Sequence, residues 1–382
     1  MQIAIDASRT TLAARTGTEN YALQLIRALL ALRSPHEFTL YFRDEPRPDL
    51  FAPYPNVRHR VIPFTRLWTH LRFAAAIWED RPDVTFVPAH SLPFVFPGRA
   101  VATVHDLGYR FFPEAHPVLE RTYLDLTTRT TAQRATRLLA DSLATQRDLV
   151  AQYGVDPAKI DVVYPGVEGL QRASDSEIST VRIKYQLPVR YLLFLGTLQP
   201  RKNIQRLIES FVEYCVNSPT DDALSLVLAG KRGWLIDTVL QETLGKLSEI
   251  QRSRISLTGY VDDADVAALY SGAVALMLPS LYEGFGFPVL EAMCCGTPVL
   301  CSNTSSLPEL AGEAALLVDP LKVSAIADGI ALLAEDVELR ATLVQKGYQR
   351  ATTFTWERAA TQTLRALELA VGKSRNITDR LS

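Results

Sequence analysis

The sequence predicts an α/β protein built from two doubly wound domains. Short apolar segments recur along the chain, and each is followed by a polar or glycine turn and then by a helix-like stretch. Strands that alternate with helices form parallel sheets covered on both faces. The chain of 382 residues is also too long for one ordinary core, since single cores rarely grow beyond roughly 250–300 residues. We therefore expect two such domains that face a central cleft, at the carboxyl ends of their sheets.

Candidate strands are spread over both halves. The first half contains QIAID, FTLYF, DVTFV, AVATV, RLLAD and IDVVY, and the second contains YLLFLG, LSLVLAG, ISLTG, VALMLP, PVLCS and AALLVD. Between them, a polar stretch without a strand pattern predicts a linker that ends near Tyr185 to Arg190. We therefore expect an N-terminal domain over residues 1–180, a C-terminal domain over residues 186–354, and a C-terminal helix over residues 355–382 that joins the first domain.

Composition excludes several classes of protein. The longest apolar runs, such as AVALMLP, are far shorter than the roughly 20 residues of a membrane helix. The net charge of −2 gives no overall attraction to nucleic acid. The chain starts with an apolar alternation rather than a basic leader, and its four cysteines lack the spacing of a metal site or a disulfide framework. These features predict a cytoplasmic protein.

The segment EGFGFPVLE, from Glu283 to Glu291, contains the clearest candidate site. Proline suits the first turn of a helix, so Pro288 is expected to begin one that ends at Gly296. The preceding backbone amides would then lie at the positive end of that helix and could bind phosphate. These amides belong to Gly284, Phe285, Gly286 and Phe287.

The two acids of this segment allow two interpretations. Glu291 would lie in the first turn of the helix, where the dipole keeps it ionised and where it could bind the two hydroxyls of a ribose. Glu283 would face the group beyond the phosphates. The alternative is that Glu291 only complements the helix dipole and that Glu283 is a solvated loop acid.

Other candidate residues follow strands of each half. Arg201 and Lys202, in YLLFLGTLQPRKN, would supply cations beside the phosphate site. The alternative is a solvated basic pair before a helix. In the first half His105 ends the strand of AVATVHDL, although a lone histidine is more often structural.

Together these segments resemble the retaining nucleotide-sugar glycosyltransferases of family 4, also called glycosyl transferases group 1. The resemblance covers nearly the whole chain and is carried by EGFGFPVLEAMCCGTPVLCSN, with support from GTLQPRKN, GYVDDADVAALYSGA, VHDL and YPGV. It implies the GT-B fold of two Rossmann-like domains. It also implies transfer of a hexose from a nucleotide-diphosphate sugar to a hydroxyl group of a glycan, lipid-linked or small-molecule acceptor, with retained configuration. Likeness to mannosyl-transferring relatives favours GDP-mannose as the donor, with UDP-glucose as the rival, and no further cofactor is expected.

The resemblance also implies roles for individual residues. Lys202, with Arg201, would bind the donor diphosphate, and Glu291 would bind the ribose. Glu283 and His105 would contact the transferred sugar. The remaining donor-binding positions are Gly17, near the diphosphate, Gly196, at the end of a strand, and Val261, whose backbone we expect near the base.

The sequence departs from the family pattern at two places. Thr197 stands where many members have an arginine, so Arg201 is expected to replace it, and the first loop reads Thr16-Gly17-Thr18 where many members have two glycines. A rival architecture holds the diphosphate through a metal bound by an Asp-x-Asp pair, and Asp263-Ala264-Asp265 has this form. We favour a helix start here, with Asp262 as its N-cap, and therefore expect no metal.

Residues 50–78 lack acids and carry arginines among aromatic side chains. The members are Arg58, Arg60, Arg66 and Arg72, with Phe64, Trp68, Phe73 and Trp78. Such a segment could touch anionic lipid at the inner membrane face or receive a lipid-linked acceptor. We favour the alternative of core packing with solvated arginines.

Three other functions compete with glycosyl transfer. A nicotinamide enzyme needs Gly-x-Gly-x-x-Gly after its first strand, and DASRTTLAARTGTEN has a single glycine. A nucleotide-sugar epimerase shares the two-domain architecture, but it would act on the donor without an acceptor. A non-catalytic nucleotide-sugar-binding protein is the third alternative, and the presence together of His105, Lys202, Glu283 and Glu291 argues against it.

Overall fold

A computed structural model describes residues 1–12, 17–64, 67–89, 91–115, 117–167, 169–218, 224–233 and 235–372. Contacts between residues divide the chain into two compact units. The first unit consists of Met1–Arg110, Val118–Gly166 and the chain from Phe354 onward. The second consists of Val167–Thr353 with the short segment Phe111–Pro117.

The strands form two sheets, one in each unit. The first sheet contains β1 (Gln2–Asp6), β2 (Glu37–Phe42), β3 (Val57–Val61), β4 (Val84–Val87), β5 (Arg99–Val104), β6 (Arg137–Ala140) and β7 (Ile160–Val162). The second contains β8 (Tyr191–Leu195), β9 (Ser225–Ala229), β10 (Ile255–Gly259), β11 (Ala275–Leu278), β12 (Val299–Ser302) and β13 (Leu316–Val318).

The helices follow the strands in alternation. They are α1 (Gly17–Ala31), α2 (Ala74–Asp80), α3 (Gly108–Phe111), α4 (Val118–Arg134), α5 (Leu143–Tyr153), α6 (Asp175–Lys184), α7 (Ile204–Asn217), α8 (Ile236–Gly245), α9 (Glu249–Ser253), α10 (Val266–Ser271), α11 (Phe287–Cys294), α12 (Leu307–Ala311), α13 (Val323–Glu335), α14 (Val337–Ala351) and α15 (Trp356–Val371). No helix in the described ranges is both long and apolar enough to cross a bilayer.

Both sheets have the doubly wound topology that the sequence predicts. The strand order is β3-β2-β1-β4-β5-β6-β7 in the first unit and β10-β9-β8-β11-β12-β13 in the second, and the pairings within each sheet are parallel. The prediction of two doubly wound α/β domains is confirmed. The order reverses between β1 and β4 and between β8 and β11, and such switch points are where these sheets bind ligands.

Burial explains which strands the sequence revealed. Every residue of β4, β9 and β11 is buried, so these strands read as continuous apolar runs. Strand β3 was not predicted. Its sequence is VRHRV, and it lies at the edge of the first sheet with Arg58 and His59 exposed. A polar edge strand lacks the apolar signal of a buried one.

The second unit begins earlier than the predicted boundary, at Val167 rather than after residue 180. The predicted linker contains α6, which packs against α10 of the second unit. Ser174 and Glu177 form a capping box at the start of α6. This Ser-x-x-Glu pattern is a helix-start signal that the sequence analysis overlooked.

The C-terminal helix α15 packs on the first unit, against α1 and β5. Thr355 caps its start by accepting a hydrogen bond from the amide of Arg358. Gly166 allows the chain before the unit boundary to approach this start closely, since a Cβ at Gly166 would lie 2.2 Å from the backbone nitrogen of Trp356. The glycine of the YPGV segment therefore has a packing role in the first unit.

Candidate functional site

The loop between β8 and α7 presents Arg201 and Lys202. Gly196 follows β8 with a φ of 148°, and the turn Pro200–Lys202 leads into Asn203, whose φ of 63° lies in the left-handed region. The Asn203 side-chain amide donates hydrogen bonds to the carbonyl oxygens of Pro279, at 3.0 Å, and Pro320, at 2.7 Å. These bonds fix the loop to the chain that follows β11 and β13.

Both cations contact Glu283, in the loop between β11 and α11. The Arg201 guanidinium donates to Glu283 Oε2 at 3.1 Å, the Lys202 ammonium donates to Glu283 Oε1, and the Ser280 hydroxyl also donates to Oε1, at 2.7 Å. Lys202 is 8% exposed and Glu283 is 5% exposed. We call these four residues, Arg201, Lys202, Ser280 and Glu283, the cation cluster. Two cations and one carboxylate leave it with one excess positive charge.

The electrostatics of the cation cluster keep Glu283 ionised. Burial alone would raise the pKa of Glu283, but the charges of Lys202 and Arg201 outweigh this effect and lower the pKa to about 2. The cluster forms because β8 and β11 are neighbours in the sheet, so the loops that follow them meet at its carboxyl edge. The interpretations of Glu283 and of the basic pair as solvated surface groups are therefore wrong.

Helix α11 begins as predicted, with Pro288 in its first turn. Gly286 is its N-cap, with a φ of 113°, and a Cβ there would lie 2.7 Å from Leu307 Cδ2. Gly296 has a φ of 71° just after the helix. The first turn of α11 has fewer available donors than most helix starts, because Pro288 has no N–H and the amide of Val289 donates to the carbonyl oxygen of Gly286 at 3.0 Å.

Glu291 lies elsewhere on α11 than the sequence predicts. The helix begins at Phe287, so Glu291 is its fifth residue, and the first turn contains no acid. Burial raises the pKa of Glu291, while a hydrogen bond at 2.9 Å from the hydroxyl of Tyr270 opposes this rise. The helix dipole therefore contributes less to the ionisation of this acid than a first-turn position would, since dipole effects fall off beyond the first turn.

His105 follows β5 in the first unit and is buried. Its Nδ1 lies 2.6 Å from Asp141 Oδ2, and its Nε2 lies 3.1 Å from the carbonyl oxygen of Pro88. Both ring nitrogens lie within hydrogen-bonding distance of acceptors, which favours the doubly protonated, positively charged ring. Burial lowers the pKa of His105, but the charge of Asp141 and its hydrogen bond outweigh burial and raise it overall.

The sequence analysis missed Asp141 as the partner of His105. The register pairs Val104 of β5 with Ala140 of β6, so the residue after each strand meets its counterpart. Asp141 directly follows an apolar strand segment, and this position could have identified it as a candidate site residue. Asp141 Oδ1 is buried without a hydrogen-bond partner among the residues that the structure describes.

Two further donor-binding candidates lie outside these contacts. Gly17 is the first residue of α1, whereas Thr16, in the predicted Thr16-Gly17-Thr18 turn, lies outside the described residues. Val261 is buried shortly after β10, in the second unit. The structure thus brings Arg201, Lys202 and Glu283 into direct contact, while Glu291 bonds to Tyr270 instead.

The Asp-x-Asp segment begins a short turn, Asp263–Asp265, before α10. Asp262 stands at the N-cap position of this turn, as predicted, but its side chain makes no capping hydrogen bond there. The side chains of Asp262 and Asp265 instead accept hydrogen bonds from the ammonium of Lys184, at 2.7 Å and 2.6 Å. Lys184 is the last residue of α6, a helix that the sequence analysis did not predict. A metal ion at these two carboxylates would have to compete with the ammonium of Lys184.

The aromatic side chains of the basic segment divide between core and surface. Trp68 and Phe73 are buried, whereas Phe64 and Trp78 are exposed. Arg60 forms ion pairs with Glu79 and Asp80. Arg66 lies outside the described residues. The segment therefore contributes to the core of the first unit and also keeps exposed apolar side chains.

Comparisons with known proteins identify the family of this chain. Residues 15–168 match the model of Glycosyltransferase Family 4, and residues 181–350 match that of Glycosyl transferases group 1. The chain is 32% identical over 375 residues to O-antigen chain mannosyltransferase B of Escherichia coli, which covers 93% of this chain and 96% of the relative. It is also 32% identical over 190 residues to the serotype-specific mannosyltransferase WbdA of Escherichia coli, covering 49% of this chain and 23% of the relative.

Solved structures confirm the fold. A sucrose-phosphate synthase from Thermosynechococcus elongatus matches 98% of this chain and 100% of its own, with a TM-score of 0.71 at 22% identity. HepE of Anabaena, in complex with UDP and glucose, matches 96% of this chain and 100% of its own, with a TM-score of 0.73 at 19% identity. The predicted GT-B fold is confirmed. The chain belongs to glycosyltransferase family 4, and it is a glycosyltransferase that uses a nucleotide sugar.

Proposed function

We propose that this chain is a retaining, metal-independent hexosyltransferase of polysaccharide biosynthesis that moves mannose from GDP-mannose to a hydroxyl group of a saccharide or lipid-linked acceptor. The names of the two mannosyltransferases among its relatives support mannose. UDP-glucose is the rival donor, because HepE of Anabaena, whose fold this chain shares, binds it. The observation that carries the proposal is the cation cluster at the carboxyl edge of the second sheet.

The cation cluster suits a diphosphate leaving group. Negative charge develops on the nucleoside diphosphate as its bond to the sugar breaks, and fixed cations stabilise this charge where it appears. Lys202 and Arg201 supply those cations, and the amides around Gly284 to Phe287 at the start of α11 add oriented dipoles. Because Glu283 already holds both cations in place, little reorganisation is needed when the donor binds.

The two acids and the histidine take separate roles in this proposal. Glu283 positions the transferred sugar, and Glu291 binds the ribose hydroxyls. His105, held by Asp141, contacts the sugar from the first unit. A retaining hydrolase uses one carboxylate as a nucleophile, but Glu283 is committed to Lys202, Arg201 and Ser280. We therefore favour a route in which the departing phosphate oxygen helps to deprotonate the acceptor hydroxyl.

A thermal-shift screen of GDP-mannose, UDP-glucose and an ADP-sugar tests the donor. A ligand present at one hundred times its dissociation constant adds roughly 2.7 kcal/mol to the stability of the folded state, so one nucleotide class should raise the melting temperature of the wild type and fail to raise that of Lys202→Met. Nucleoside diphosphate release that depends on an added acceptor would then support transfer. Release without any acceptor would favour the epimerase alternative, and binding without any turnover would favour a non-catalytic binding protein.

For residues 50–78 we favour core packing over contact with anionic lipid. The observation that favours membrane contact is that Phe64, Leu67 and Leu71 are exposed beside Arg72. Sedimentation with anionic vesicles would decide between them. Core packing predicts that Arg72→Glu leaves vesicle binding unchanged, whereas membrane contact predicts that it releases the protein.

A further inference from the structure

A cavity of about 200 Å³ lies in the first unit, apart from the residues assigned above. Its polar lining consists of Ser8, Arg9, Arg43, Thr69, His70 and Tyr123. Ser8 and Arg9 follow β1 and Arg43 follows β2, so the cavity lies at the carboxyl edge of the first sheet, where such sheets bind ligands. Since one water needs only about 10–15 Å³, the cavity can hold a group much larger than a water molecule.

The guanidinium groups of Arg9 and Arg43 line this cavity, and each forms only a weak ion pair with a nearby acid. Arg9 is 57% exposed and lies 3.7 Å from its partner Glu19. Arg43 bonds to its neighbour Asp44 at 2.8 Å, and both side chains are more than one-third exposed. Exposed ion pairs of this kind contribute little to stability, so an incoming anion can compete with either acid.

The wall of the cavity is built from unusual backbone. Leu67 has a φ of 55°, and residues Thr69–Phe73 form a π-helical turn. Trp68 holds this turn in place: its side chain is buried, and its Nε1 donates to the carbonyl oxygen of Ile62 at 2.8 Å. Bulky residues with positive φ and π-helical turns both concentrate at functional sites.

His70, within this turn, has an unmet hydrogen-bonding atom. Its Nε2 lies 3.0 Å from the Tyr123 hydroxyl, and its ring stacks on Phe94 with the centroids 4.0 Å apart. Burial lowers the pKa of His70, which favours the neutral ring. Its Nδ1 is buried and has no partner within the described ranges. An unpaired buried polar atom is destabilising, so a bound polar group would stabilise this side chain.

We propose that this cavity binds a phosphate group of the acceptor, held by Arg9 and Arg43 with the hydroxyls of Ser8 and Thr69. Guanidinium groups bind phosphate through paired hydrogen bonds, and hydroxyls can donate to the remaining oxygens. Leu67, which lines the cavity and is 59% exposed, offers apolar contact to the group that carries the phosphate. The inference rests on the proposed function, since it presumes that an acceptor binds the first unit.

Calorimetric titration tests this inference with three probes: inorganic phosphate, mannose 1-phosphate and geranyl phosphate. The parent protein is Lys202→Met, because this substitution disables the proposed diphosphate site. Adding Arg9→Gln and Arg43→Gln to the parent should weaken binding of the tightest probe by about tenfold or more. Arg47→Gln is the matched control, since Arg47 is 69% exposed and does not line the cavity, and it should leave the affinity within about twofold of the parent.

These titrations indicate the kind of acceptor, and titrations with nucleotides test the proposed donor site separately. Tighter binding of geranyl phosphate would indicate a lipid-linked acceptor, and tighter binding of mannose 1-phosphate a soluble one. The inference is overturned if no probe binds the parent, or if the two glutamine substitutions leave the affinity unchanged while circular dichroism shows a folded protein. Titration of GDP and UDP into the wild type, into Lys202→Met and into Arg9→Gln/Arg43→Gln tests the proposed function separately, since only Lys202→Met should lose the nucleotide.

Discussion

Replacing Lys202 by methionine removes one cation from the buried cluster and keeps an unbranched side chain of similar length. Glu283 then retains Arg201 at 3.1 Å and Ser280 at 2.7 Å. The pKa of Glu283 lies at about 2, against an ordinary value of 4.5, and this depression corresponds to about 3 kcal/mol in favour of the ionised form. Lys202 supplies only part of this energy, so we expect the free energy of unfolding to fall by about 2–3 kcal/mol.

The expected loss of activity is larger than this loss of stability can explain. Removing one preorganised group that stabilises transition-state charge lowers turnover by about a hundredfold to a thousandfold, whereas a domain that loses about 3 of its 5–15 kcal/mol stays folded. The assays are nucleoside diphosphate release and urea unfolding at pH 7. Lys246→Met, at an exposed position of the same unit, is the control and should change neither. A folded Lys202→Met protein with turnover within about threefold of wild type would refute the role of Lys202.

The same substitution predicts a change in acid stability. The pKa of Glu283 is lower in the folded than in the unfolded chain, so its stabilising contribution is complete above about pH 4.5 and is lost as the pH falls toward about 2. Without Lys202 the folded pKa lies closer to 4.5, and less stability remains to be lost over this range. Urea unfolding of both proteins at pH 7 and pH 3 should therefore give a smaller difference between variant and wild type at the lower pH.

Three further substitutions test other parts of the site. Gly286→Ala places a Cβ 2.7 Å from a side-chain carbon at a φ of 113°, and it should lower the free energy of unfolding by about 1–3 kcal/mol; an unchanged urea midpoint would contradict this strain. Asp141→Asn removes the charge that raises the pKa of His105, so an NMR titration of the ring should give a lower pKa than in the wild type. An equal pKa would contradict the ion pair between His105 and Asp141. Glu291→Gln keeps the contact with Tyr270 but loses the charge, so the donor KM should rise by about tenfold with little change in kcat; an unchanged KM would argue against ribose binding.

Much of the fold could be predicted because buried parallel strands carry a strong apolar signal. All strands were found from their sequence except β3, in which Arg58 and His59 break the apolar pattern at a sheet edge. Helix α6 was missed because it is mostly exposed, with Val181 as its buried residue. Elements that contribute little to a core leave little hydrophobic pattern in the sequence.

The sequence predicted the individual residues of the candidate site better than the contacts between them. Chain position placed Arg201, Lys202 and Glu283 after strands, but their direct contact depends on β8 lying beside β11, which no local pattern specifies. Asp141 was missed for the same reason, because its meeting with His105 depends on the register of two strands. Glu291 is the fifth residue of α11 rather than the fourth, because the helix starts at Phe287, one residue before Pro288.

A crystal structure with bound nucleoside diphosphate would test the central claim most directly. We predict that the phosphate oxygens lie within hydrogen-bonding distance of the Lys202 ammonium and the Arg201 guanidinium, near the start of α11. A diphosphate bound elsewhere, with Lys202 and Arg201 still engaged only by Glu283, would contradict the assignment of the cation cluster as the donor site.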